Sequence, residues 1–305
     1  MKKNNKVLLF LIALSLVFGL IFSCEHISKA ADIGAQVAGA TGVIDPNLAA
    51  GISQSAQAIG RAAEEFTPEQ EYYIGRAVAA NILTTYSVWN GNPALTAYLN
   101  RICLTIAINS SKPDIFIGYR VNILDTNEIN AFATPGGHIF ITRGLIACAE
   151  SEDALAGIIA HEIAHIQLQH GILAIRNNRR LQAAVATADS FAGVFTGMEI
   201  GELTRIFDGA VGELVNTLVV SGYSQRQEYE ADATALSLMA AAGYDPNALI
   251  TMIRVLERNQ ERNAGFGRTH PTPAQRITNA QRTVGQYQVT DTSSHRVDRF
   301  RAAVR

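Results

Sequence analysis

The sequence predicts an α+β fold that is mostly helical, with one small antiparallel sheet. Three observations predict it. Apolar residues make up 48% of the chain and aromatics only 7%, with Gly and Ala abundant, a composition that favours closely packed helices over a sandwich of short strands. The apolar residues recur at helical spacing along most of the chain and alternate only between about Tyr119 and Thr142. The 305 residues suffice for a sizeable core, in one large domain or two small ones.

The elements follow in order. Lys2, Lys3 and Lys6 precede an uncharged apolar run from Val7 to Phe22, shorter than the ~20 residues of a spanning helix, which reads as an export signal. It ends in Ile21-Phe22-Ser23-Cys24, which resembles the lipobox of bacterial lipoproteins and makes Cys24 the expected lipid anchor. Cleavage after Ala30 is the soluble alternative, and an uncleaved anchor is the third. Losing residues 1–23 removes three lysines and no acid, taking the formal charge from −2 to −5, so nucleic acid is excluded as an expected partner. Residues 25 to about 45 carry almost no large side chains and read as a tether.

From Asn47 the positions Leu48, Ile52, Ile59, Ala63 and Phe66 follow helical spacing. Thr67-Pro68-Glu69-Gln70 is a capping-box start for a helix ending near Asn90-Gly91, and another runs from Pro93 to about Asn109. Tyr119 to Asp125 alternates as a strand does, and "INAFATPGGHIFITRG" places two strand-like runs around Pro135-Gly136-Gly137, a hairpin signal. A short helix spans Thr142 to Cys148, and Ser151 with Glu152 and Asp153 opens the next. The charges Glu199, Glu202, Arg205, Asp208 and Glu213 interrupt the apolar segment 183–220, so it is no membrane span, and Gly193, Gly197 and Gly201 share one helical face there. Helices follow from Ser224 to about Ala242 and from Pro246 to about Asn263, and no fixed-period repeat suggests a solenoid. Cys103 and Cys148 form an even pair outside the cytoplasm, open to a disulfide or to two buried thiols.

The chemistry lies in "GIIAHEIAHIQLQHG". His161 and His165 are one turn apart, about 40° around the helix, so both imidazoles project toward one point. Glu162, about 100° from His161, is placed for a water rather than for the metal itself. This is the H-E-x-x-H arrangement of zinc peptidases. Isoleucines 158, 159, 163 and 166 flank these polar groups, and burying them unsatisfied would cost several kcal/mol, which a metal prevents. A catalytic zinc keeps three protein ligands and one open position. Leu168 and Gly171 stand where a metzincin needs Gly and His, and His170 lies about 180° from His161 on a continuous helix, facing elsewhere. After Glu162, only Glu228 has an aspartate four residues on, in "EYEAD". Glu228 is therefore the candidate third ligand and Asp232 the acceptor of a ligand histidine's N–H, while Glu230, about 200° away, points to solvent.

In order along the chain, "NAFATPGGHIFITRGLI", "HEIAH", "EYEADATAL" and "THPTPAQRI" resemble the metallopeptidase family that contains the HtpX heat-shock protease and the CAAX prenyl proteases, above all its exported lipoprotein members, over about residues 65–285. The resemblance implies a helical zinc endopeptidase with one Zn²⁺ per chain on His161, His165 and Glu228, and a sheet whose edge strand faces the active site. On it, residues 47–285 are the zinc metallopeptidase domain, after a signal peptide (1–23) and a lipid-anchored tether (24–46) and before a C-terminal tail (286–305).

Zinc lowers the pKa of a bound water toward ~7, and Glu162 takes its proton and passes it to the leaving amine. Peptide would pair with the edge strand Asn130, Ala131, Phe132 and Ala133 by β-augmentation, which suits unfolded chains. His270 and Arg276 are candidate oxyanion stabilisers, and His270 is also a candidate fourth zinc ligand. The expected protein is exported to the periplasmic side of a bacterial membrane, as an outer-membrane lipoprotein or in soluble form. There it hydrolyses misfolded or misassembled envelope proteins. The alternative is a zinc-containing chaperone or assembly factor with latent protease activity.

Overall fold

The computed structural model describes residues 24–42, 49–53, 56, 66–176, 209, 211–259, 269–270, 272–287 and 294–304. The expected signal segment, the three glycines of the 183–220 stretch and the end of the 246–263 helix lie outside these residues. The chain divides into two compact units, residues 1–65 with 175–210, and residues 66–174 with 211–305. Among the described residues no helix is long and apolar enough to cross a membrane.

In the first unit, α1 (Cys24–Ala40) occupies most of the stretch expected to be a tether. Its small side chains bury little, but alanine has the highest helix propensity, and a 17-residue run holds five. The Ser53 hydroxyl donates to the Asp32 carboxylate, Ala35 and Ala49 are buried, and Gly39 has no side chain where one would collide with Ala49.

The second unit is helical around a three-stranded sheet. Helix α2 (Pro68–Thr85) starts with the expected capping box at Thr67 and Gln70 and stops several residues before Asn90. Helix α3 (Pro93–Ala107) is capped by the Asn92 side chain. Strands β1 (Arg120–Leu124), β2 (Ala131–Ala133) and β3 (His138–Thr142) lie in the order β1-β3-β2. The hairpin β2/β3 is antiparallel, as its turn signal requires, with Phe132 opposite Phe140. The sheet as a whole is mixed rather than antiparallel, because β1 pairs parallel to β3 from Arg120–His138 to Leu124–Thr142. Alternation reveals that a segment is a strand, but it does not say which neighbour it joins or in which direction. Gly75 of α2 lets Pro135 of the hairpin turn come so close that a side chain at this position would collide with the Pro135 carbonyl, and Gly136 takes φ 74° in that turn.

Helix α4 (Arg143–Cys148) leads to α5 (Glu152–Gln167), which carries the motif. Every residue of α5 from Glu152 to Ile166 is buried, as the apolar positions all around it demand. Helices α6 (Gln225–Ala241) and α7 (Asn247–Arg258) pack on it, and α8 (Pro273–Val284) packs on both of those. Cys103 and Cys148 are free thiols, and burial pushes the Cys103 thiol up to about 12, so it is unreactive.

The expected C-terminal tail is instead a docked helix, α9 (Ser294–Val304). Arg299 reaches Glu152 with Nη2 at 2.6 Å and Nε at 3.0 Å, and Arg296 reaches Asp153 at 2.7 Å. Phe300 is buried in the core, and Tyr98 also donates to Glu152 at 3.0 Å. The two acids at the start of α5 thus have fixed partners as well as the helix dipole. The segment reads as polar because most of its docking is ionic.

Candidate active site and metal centre

Helix α5 presents His161 and His165 on one face, α6 adds Glu228 one turn from its capped start at Ser224, and the segment before α8 adds His270. The ligand atoms of these four buried side chains all lie within 4.8 Å of one another. His161 Nε2 is 3.1 Å from His165 Nε2, 3.3 Å from His270 Nδ1 and 3.5 Å from Glu228 Oε2. A ring N–H can satisfy only one of these neighbours, whereas a tetrahedral zinc with bonds of 2.0–2.1 Å spaces its ligands about 3.3–3.4 Å apart. The donor set and its spacing therefore fit zinc. No metal is described in the structure, and the four residues are those that could hold one.

Behind the donors lies a buried ionic frame. His161 Nδ1 is 3.0 Å from Asp232 Oδ1, the contact expected of an N–H acceptor. Arg276 clamps the same carboxylate through Nε at 2.8 Å and Nη2 at 2.7 Å, and its Nη1 lies 3.0 Å from Glu228 Oε2. Burial alone would raise Asp232, but the Arg276 guanidinium beside it holds it down at about 2, so it is an ionised acceptor. Burial likewise opposes ionisation of Glu228, yet His270 and Arg276 beside it keep its carboxyl well below the usual range. Arg276 is 1% exposed and sits on the Nδ1 side of His161, behind the ring rather than in front of the donors. This geometry suits a buttress rather than an oxyanion donor.

Glu162 is 1% exposed, and its Oε1 has no hydrogen-bond partner. The His270 Nε2 is 3.6 Å away. Burial raises the Glu162 pKa. A buried carboxylate oxygen without a donor, one residue from His161, is an acceptor awaiting a proton.

Two residues of the site depart from the sequence reading. His170 does not face away, because α5 ends at Gln167 and Gln169 turns the chain with φ 55°. The turn brings His170 Nδ1 to 2.8 Å from His165 Nδ1. Tyr223, which the sequence did not single out, stacks on His165 at 4.2 Å and 15°. The H-x-x-x-x-H spacing was visible, but only a broken helix could make it meaningful. Glu230 is half-exposed as expected, pairing with Arg226 at 2.8 Å.

The edge strand is where it was expected, but it is not open. Asn130, Ala131, Phe132 and Ala133 are buried, with β2 against α5 and the turn Thr217–Ser221. The Asn130 carboxamide accepts from its neighbour Ala131 and from Thr269. Beside His165 a narrow crevice, with room for about one water, is lined by Ala133, Thr134, Pro135, Gly171 and Tyr223 among others. His270 is delivered by a strained turn: Thr272, a β-branched residue, takes φ 61° and ψ 52°, which costs on the order of 1–3 kcal/mol.

A helix-borne H-E-x-x-H joined by a glutamate from a later helix defines a zinc metallopeptidase centre. The chain belongs to peptidase family M48, whose model matches residues 93–284. It is similar to a putative beta-barrel assembly-enhancing protease of Vibrio cholerae, with 28% identity over 74% of this chain and 46% of the relative. It is also similar to the mitochondrial metalloendopeptidase OMA1 of Schizosaccharomyces pombe (28% identity, 64% of this chain, 54% of the relative). Metalloprotease LoiP of Escherichia coli is 29% identical over 60% of this chain and 69% of the relative. The chain spans about half the length of the first two.

Proposed function

We propose that this protein is a zinc-dependent endopeptidase of the bacterial cell envelope whose Glu162 is the general base. The observation that carries this reading is the partnerless, buried Oε1 of Glu162 beside a four-donor cluster on His161, His165, Glu228 and His270. Zinc held there supplies Lewis-acid polarisation of the scissile carbonyl and acidifies a nearby water. Glu162 then accepts the proton of the attacking water and returns it to the leaving amine, a role favoured by the upward shift of its carboxyl. Asp232, ionised and locked by Arg276, holds the Nδ1–H of His161 so that Nε2 faces the cluster. Chelator-sensitive digestion of an unfolded protein such as casein is the test.

Misassembled envelope proteins are the proposed substrates, supported by the likeness to assembly-enhancing proteases. Recognition by β-augmentation on Asn130 to Ala133 requires the Thr217–Ser221 turn to move off the strand. A latent state, the alternative in which the protein serves as an assembly factor, is favoured by the placement of His270. Its Nδ1 lies 3.3 Å from His161 Nε2 and 3.1 Å from Glu228 Oε1, among the donors rather than opposite them. As a fourth ligand it would fill the position a reacting water needs. His270→Ala should therefore raise kcat on casein while leaving one zinc per chain. A drop of ~10²-fold or more would instead assign it to the oxyanion, and an unchanged kcat would remove both roles.

Cys24 is proposed as the lipid anchor at the periplasmic face of the outer membrane. Cys24→Ala should release the protein into the soluble fraction, since a single acyl chain is already a marginal anchor. Continued pelleting of the Cys24→Ala protein with membranes would contradict this.

A further inference from the structure

The His165 imidazole makes contacts on both of its nitrogens. Its Nε2 lies in the donor cluster, 3.1 Å from His161 Nε2 and 3.5 Å from Glu228 Oε1. Its Nδ1 meets His170 Nδ1 at 2.8 Å. His170 is thus across the ring from the cluster and cannot ligate the same ion, yet it is 1% exposed and its contact is among the shortest polar contacts of the centre.

We propose that His170 is a positioning residue that holds His165 in the tautomer with a bare Nε2, and that Glu230, acting through His170, sets how tightly the centre holds zinc. The proposal rests on the reading that His161, His165 and Glu228 hold that ion. A histidine that offers Nε2 to a cation carries its proton on Nδ1, and that proton needs an acceptor. For His161 the acceptor is the Asp232 carboxylate at 3.0 Å. For His165 it is the ring nitrogen of His170, which must itself be bare at Nδ1 and protonated at Nε2. That second nitrogen lies 3.5 Å from Glu230 Oε2, and Arg226 donates to Glu230 Oε1 at 2.8 Å.

The two ligand histidines are therefore supported unequally. His161 leans on a carboxylate that is buried and clamped by Arg276. His165 leans on a neutral ring whose carboxylate is 42% exposed, with a partner arginine that is 87% exposed. Tyr223, stacked on the face of His165, fixes the plane of the ring but offers no acceptor to its edge. The edge contact alone decides which nitrogen carries the proton. The left-handed turn at Gln169 is what makes it possible, since a continuous helix would carry His170 to the opposite side.

The test is the zinc dissociation constant of the full chain, measured by competition with a chromophoric chelator. His170→Leu, which removes the acceptor, should weaken zinc about 10–100-fold. His170→Asn, whose side-chain oxygen takes the place of Nδ1, should hold zinc nearly as tightly as wild type. Glu230→Gln, a surface change that leaves the core intact, should weaken zinc by a smaller but measurable factor. Equal weakening by Leu and Asn would mark a packing role and overturn the proposal, as would wild-type affinity in His170→Leu or in Glu230→Gln. If His170→Leu does not fold, His170→Asn and Glu230→Gln decide alone. A wild-type chain that binds no zinc sinks the assignment of the centre itself, whereas zinc held equally by wild type and His170→Leu sinks only the role of His170.

Discussion

Glu162→Gln is expected to lower turnover of an unfolded substrate by about 10²–10⁴-fold, the usual share of a general base, while the protein keeps one zinc per chain. The substitution is nearly isosteric, so the packing of a side chain that is 1% exposed is preserved. What changes is the Oε1 position, where a carboxylate oxygen without a donor becomes an amide group that cannot take a proton. The proposed ligands His161, His165 and Glu228 are untouched, so elemental analysis and turnover on the same preparation separate loss of base from loss of metal. Turnover comparable to wild type would remove Glu162 from the mechanism.

The second large effect concerns stability. Arg276 is fully buried and is the cation that Asp232 and Glu228 share, through contacts of 2.7, 2.8 and 3.0 Å. Arg276→Met fills much of the same space but leaves two buried carboxylates without their cation. Breaking a buried pair from one side costs about 3–5 kcal/mol, which chemical denaturation of the metal-free protein would register. An Arg276 that served only as an oxyanion donor would leave the denaturation midpoint where it is. The sign of the pH dependence follows from Asp232, whose folded pKa of about 2 lies below the ordinary aspartate value. Its contribution to stability is fully present above that ordinary value and is lost as the pH falls toward 2. Arg276→Met should flatten this acid limb.

Much of the centre was legible because its spacings are helical. His161 and His165, and again Glu228 and Asp232, are four apart on helices that do run unbroken through those positions, α5 and α6. The β2/β3 hairpin was legible from Pro135-Gly136-Gly137, where Gly136 takes the positive φ its residue type allows. The positions that misled are those where a local rule stopped applying. The 180° offset of His170 from His161 holds only on a continuous helix, and α5 ends three residues before it. The parallel pairing of β1 with β3 is not legible from alternation, because pairing partners are chosen by the fold, not by the strand. The 286–305 stretch looked like a tail because Arg296 and Arg299 find their acids more than 140 residues away, a distance no local pattern spans. The helix Cys24–Ala40 within the proposed tether was not legible, because its small side chains give little apolar periodicity although alanine favours a helix.

The central claim is that the donor cluster is a working zinc peptidase site, and digestion of casein by one purified preparation in three states tests it most directly. The untreated protein, or His270→Ala if the native site is latent, should cleave casein. A chelator should abolish the cleavage, and one equivalent of zinc should restore it. Cleavage that survives complete removal of the metal, or metal-loaded wild-type and His270→Ala proteins that both leave casein intact, would contradict the account.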